Sequence, residues 1–172
     1  KFLETQEIYL PQPDWKGMED NPHFTVTVSE PNNMPDENEL NNTLASKVSI
    51  PETLPEKFIL HIESNNLNRA QENAWTIFDG TGKIYYSRTA LEDSTTYNDE
   101  ISLESGCYTF LMTDKQMDGM IQHWWERNGH PDRIGISGKI RIISTDGDTL
   151  KILPADFGTE LRYTFKTGDI YK

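Results

Sequence analysis

An all-β chain is what this sequence predicts: an antiparallel β-sandwich, jelly-roll or immunoglobulin-like, preceded by a partial β segment. Three observations lead there. Apolar and polar residues alternate with period two in short runs, Gly and Pro break the chain between those runs, and no segment keeps a helical period for more than a turn or two. The 172 residues, 35% apolar and 10% aromatic, have room for one sandwich and part of a second domain.

The elements follow in chain order. Phe24 to Val28 alternates, a polar turn-rich stretch runs from Pro31 to Thr43, and Ala45 to Ile50 alternates again. Strands with so little apolar surface do not fold in twos or threes. The composition shift at Pro51 to Pro55 is therefore read as a boundary. Residues 1–52 are expected to be a partial immunoglobulin-like segment or β extension, and residues 55–172 a jelly-roll-like sandwich. The opening Lys1-Phe2-Leu3 reads as a cut within a longer protein.

Beyond the boundary, strands are expected at Lys57 to Ile62, Ala74 to Phe78, Lys83 to Tyr86, Cys107 to Met112, Gly138 to Ile143 and Leu161 to Phe165. Asp79-Gly80-Thr81-Gly82 and Asp146-Gly147-Asp148 carry the residues that tight hairpin turns require. Met117 to Arg127 has room for a helical turn or two. Regular strand spacing and one long excursion, Asp114 to Arg133, favour the jelly roll.

Charge excludes some partners. With 28 acidic and 16 basic residues the net charge is −12, which repels a phosphate backbone, so nucleic acid is not expected. No apolar stretch approaches the roughly 20 residues of a membrane helix. The lone Cys107 forms no internal disulfide, and its alternating run predicts a small buried hydrophobe there instead of a nucleophile. His23, His61, His123 and His130 have no zinc-binding spacing. Carboxylate pairs for glycan cleavage cannot be read from abundance alone.

Two features point toward binding. Asp114 and Asp118, four apart before Gly119, offer hard oxygen ligands suited to Ca²⁺, although the loop lacks the alternating ligands and closing Glu of an EF-hand. The competing reading is that these residues only build a turn, so no cofactor is assigned beyond a possible Ca²⁺. Gln122 to His130 then adds Trp124, Trp125 and Arg127, which with Asp114 and Asp118 make up the expected contact surface. Adjacent tryptophans point apart, so one is readily buried and the other left to stack on a sugar ring or anchor an interface. Packing of both as a lid on the sandwich is the alternative. Trp75, in phase with Ile77, is expected in the core.

The segments Val26 to Asn32 and Asp36 to Thr43 resemble the closing hairpin of adhesion-type immunoglobulin-like (CARDB) domains. Further on, Ala74-Trp75-Thr76-Ile77, Gly106-Cys107-Tyr108-Thr109-Phe110, Asp114 with Asp118-Gly119, and Asp156-Phe157-Gly158 resemble a pattern found in C-terminal extensions of exported bacterial enzymes. These include proteins related to peptide:N-glycosidase F and some secreted metalloproteases. The resemblance implies an exported, non-catalytic accessory module whose partner is a glycan, a glycoprotein or the catalytic domain of the same parent. None of that family's catalytic motifs is matched. The alternative is a glycan-active hydrolase or amidase of peptide:N-glycosidase type.

Overall fold

A computed structural model describes residues 23–29, 34, 38, 40, 42–47, 49–123 and 134–168. The chain divides after Ile50 into two compact units. In the first, β1 (His23–Thr27) pairs antiparallel with β2 (Thr43–Lys47), Val26 opposite Leu44. Phe24, Val26 and Val28 alternate along one side, and all remain exposed, as does Leu44.

The second unit holds β3 (Glu52–Leu54), β4 (Lys57–Glu63), β5 (Asn73–Asp79), β6 (Ile84–Thr89), β7 (Thr96–Ser102), β8 (Gly106–Asp114), β9 (Lys139–Ile143), β10 (Thr149–Leu153) and β11 (Glu160–Thr167). Two sheets result, ordered β10-β9-β4-β7 and β3-β11-β8-β5-β6. All pairings within them are antiparallel except β3 with β11. β5–β6 and β9–β10 are hairpins, and every other consecutive pair from β4 to β11 changes sheet. The chain is thus all-β, and its second unit is a sandwich of these two sheets.

Period-two patterning decides which side chains meet between the sheets. β4 and β9 contribute Phe58, Leu60, Ile62, Ile140 and Ile142; the facing sheet contributes Trp75, Ile77, Phe110, Met112 and Phe165. Phe58 and Phe165 touch edge to face across the layer, with ring centroids 5.7 Å apart. Burying each such side chain is worth about 1.5 to 3 kcal/mol.

Side chains also join the sheets at both margins. Glu52 on β3 accepts from Lys151 Nζ on β10 at 2.6 Å and from the Tyr163 hydroxyl at 2.7 Å. On the other margin Arg88 of β6 pairs with Asp99 of β7, and the Tyr86 hydroxyl donates to Ser102 O at 3.0 Å.

Three expectations change. Cys107 is exposed, because the inward phase of β8 belongs to Tyr108, Phe110, Met112 and Asp114. Met117 to His123 forms turn and bend with no helix, and residues 124–127 lie outside the described residues. β7 is a strand without an obvious apolar signature: its inward-phase positions are Tyr97, Asp99 and Ile101, and the middle one is charged because it pairs with Arg88.

Candidate functional site

At the end of β8 the inward phase continues past Met112 to Asp114, so a carboxylate takes a position where the pattern calls for a core side chain. Asp114 is only 3% exposed. Its Oδ1 accepts the amides of Gln116 at 2.6 Å and Met117 at 2.8 Å, which turns the chain away from the sheet. Burial pushes this carboxyl above its ordinary value; the two amides oppose that, and nearby Asp118 adds to it. Oδ2 is buried with no hydrogen-bond partner among the described residues.

The turn brings Asp118 back beside Asp114. Asp118 Oδ2 meets Arg69 Nη2 at 2.6 Å, while its Oδ1 is buried and has no hydrogen-bond partner among the described residues. Arg69 Nε also stands 3.6 Å from Glu72. One oxygen each from Glu72, Asp114 and Asp118 lies within 4.8 Å of the others. Arg69 and Glu72 flank and end a 3-10 turn, Ala70–Glu72, held from outside by Asp93, which accepts the amides of Asn68 and Ala70. Asn73 lies directly opposite Asp114 in the β5–β8 ladder. Opposite residues of an antiparallel pair share a face, which sets the two side chains side by side. Asn73 is fully buried; its Nδ2 donates to Arg69 O at 3.1 Å, and Oδ1 has no hydrogen-bond partner among the described residues.

The same end of the sandwich fixes both feet of the long excursion. Met120 N donates to Ala155 O at 2.7 Å, Gly138 N to Met120 O at 2.6 Å, and Arg69 Nη1 to Ile121 O at 3.1 Å. On the returning side, Asn66 receives Ile136 N at 2.8 Å and donates to Ile134 O at 3.2 Å. Gln122 N donates to Ser137 Oγ, joining the two feet. Gly119 has φ +70°, and a Cβ there would stand 2.7 Å from Ala155 O, so this crossing requires glycine.

The two acidic residues read as ligands, Asp114 and Asp118, are therefore neighbours. Glu72, Arg69 and Asn73 join them from far upstream. No local spacing announces these three; only the pairing of β5 with β8 does. Of the residues read as a contact surface, Asp114 and Asp118 are these two neighbours, whereas Trp124, Trp125 and Arg127 lie outside the described residues. Trp75 is 3% exposed and packs against Phe110 in the core. A separate groove beside Lys57, Ile59, Ser102 and Thr145 is lined by a single carboxylate, Glu100.

No family model, curated protein or solved structure matches this chain. Among the described residues, no helix is long and apolar enough to cross a membrane.

Proposed function

We propose that the chain is a non-catalytic accessory module of an exported bacterial enzyme, which binds carbohydrate or glycoprotein through Trp124, Trp125 and Arg127. The supporting observation is the pair of feet. Residues 115–123 and 134–138 are tied to each other and to the sandwich by backbone and side-chain hydrogen bonds. A segment rich in indole and polar groups is carried between them. Fixed flanks lower the ordering entropy that a recognition loop loses on binding. Indole faces with adjacent donors suit stacking on sugar rings.

A second reading has its own support. The exposed run Phe24, Val26 and Val28, with Leu44 opposite Val26, is apolar enough to pack on another domain of the parent protein. In that case the module buttresses a catalytic domain.

Tryptophan fluorescence of the 172-residue chain, titrated with N-glycans and common polysaccharides, separates the two. The binding reading expects a saturable change that Trp124→Ala or Trp125→Ala abolishes. Silence across the panel, with neither substitution altering anything but stability, would leave the buttressing reading in its place.

A further inference from the structure

We infer that Glu72, Asp114 and Asp118 form a Ca²⁺ site, with Asn73 Oδ1 as a neutral oxygen beside it. Such a site would exist whether or not residues 124–133 engage a ligand. Reach comes first. Calcium binds oxygen at about 2.3 to 2.6 Å, so ligands of one ion stand up to about 5 Å apart. One oxygen from each of the three carboxylates falls within 4.8 Å of the other two.

Unsatisfied oxygens are the independent observation. Asp114 is 3% exposed, and its Oδ2 accepts no hydrogen bond from the described residues although Oδ1 accepts two. Asp118 repeats the division: Oδ2 faces Arg69, and Oδ1 is buried with no hydrogen-bond partner. Asn73 Oδ1, fully buried opposite Asp114, is a third such atom. A buried carboxylate oxygen without a donor is costly. Two carboxylate oxygens of this kind, with the amide oxygen of Asn73 on the residue opposite Asp114, are the surroundings a hard cation would complete.

Charge argues for a divalent ion. Three carboxylates against the Arg69 guanidinium leave two negative charges when all are ionised. Among the described residues the donor set is oxygen alone, without His or Cys, which suits Ca²⁺ or Mg²⁺ and disfavours zinc. The carboxylates come from a 3-10 turn, a strand end and an irregular loop. Calcium tolerates the irregular geometry such sources give, whereas Mg²⁺ demands a near-ideal octahedron.

The test is calorimetric titration of the full chain with CaCl₂ after chelation, with the thermal midpoint followed in parallel. One saturable site per chain and a rising midpoint are expected. Asp114→Asn and Asp118→Asn should each weaken binding by about tenfold or more, while Asp79→Asn, which alters a different acidic turn, leaves it unchanged. A cooperative urea-unfolding transition confirms that each variant is folded, and Asp118→Asn carries the test if Asp114→Asn does not fold. MgCl₂ should bind at least about tenfold more weakly. No heat and no midpoint rise up to about 10 mM CaCl₂, beyond the weak end of extracellular calcium modules, would overturn the inference. So would binding that only Asp79→Asn removes.

Discussion

Asp79 and Asp114 begin as the same device and end as opposites. Each closes a strand, and each uses Oδ1 to accept amides that reverse the chain: Thr81 and Lys83 in one case, Gln116 and Met117 in the other. Their second oxygens differ. At Asp79, Oδ2 accepts the Tyr85 hydroxyl at 3.0 Å in an open, solvated hairpin. At Asp114, Oδ2 is buried without a donor among the described residues. The carboxyls move accordingly. The Thr81 hydroxyl, followed by the Thr81 amide and the Tyr85 hydroxyl, holds Asp79 down to about 2, whereas burial pushes Asp114 up. An acidic turn is thus no sign of a site; an acidic turn whose spare oxygen is buried beside other carboxylates is one.

The comparison breaks most severely if the counter-charge is removed. Arg69 is 14% exposed and faces two of the three carboxylates. Arg69→Met, measured by urea unfolding in chelator, is expected to cost about 3 to 5 kcal/mol, because it leaves buried charge uncompensated. Arg88→Met removes an ion pair at the solvated sheet margin, where Arg88 is 38% exposed, and should cost under about 1 kcal/mol. Equal losses for the two variants would mean that the Asp114 cluster is no more buried in effect than an ordinary rim pair.

Glycines sharpen the same contrast with a smaller effect. Gly82, in the Asp79 hairpin, has φ +85° and open space where a methyl group would stand; Gly119, in the Asp114 turn, has φ +70° and backbone atoms of Ala155 and Phe157 within 2.9 Å of that position. Gly82→Ala should therefore cost only the left-handed penalty, about 1 to 2 kcal/mol. Gly119→Ala should add about 1 to 3 kcal/mol of steric strain. Denaturant midpoints at unchanged m-value would check the ordering.

How much of this was legible follows from locality. Hairpins are local: Asp79 to Gly82 and Asp146 to Asp148 stand within the runs they connect, and both turns are where their residues place them. Strands with a large apolar inward phase, such as β4 and β8, were equally plain. β7 was not, since its Asp99 is satisfied by Arg88 on a strand of the other sheet. Cys107 lies on the outward phase of a strand that the pattern marks, since Tyr108 and Phe110 hold the inward side. The candidate site divides in the same way. Asp114 and Asp118 are neighbours in sequence and could be paired on spacing; Glu72, Arg69 and Asn73 reach them only through the β5–β8 register, which no single stretch of sequence records.

The smallest expected effect isolates the two titrations. Asp79 has a folded value of about 2 against an ordinary 3.8. A depressed value means that the unfolded chain binds more protons between those limits, so the stabilisation is complete above about pH 5 and fades as pH falls through about 2. Asp79→Asn keeps the Oδ1 acceptor but removes the charge. The gap in thermal midpoint between wild type and Asp79→Asn should therefore stay level at higher pH and narrow on acidification. Asp114 has the opposite sign in chelator. Its raised value makes the folded chain bind the extra proton, so wild type should lose ground to Asp114→Asn as pH rises through the folded titration. Two acidic turns with slopes of the same sign would show that the burial of the second oxygen, on which the contrast depends, has no energetic consequence.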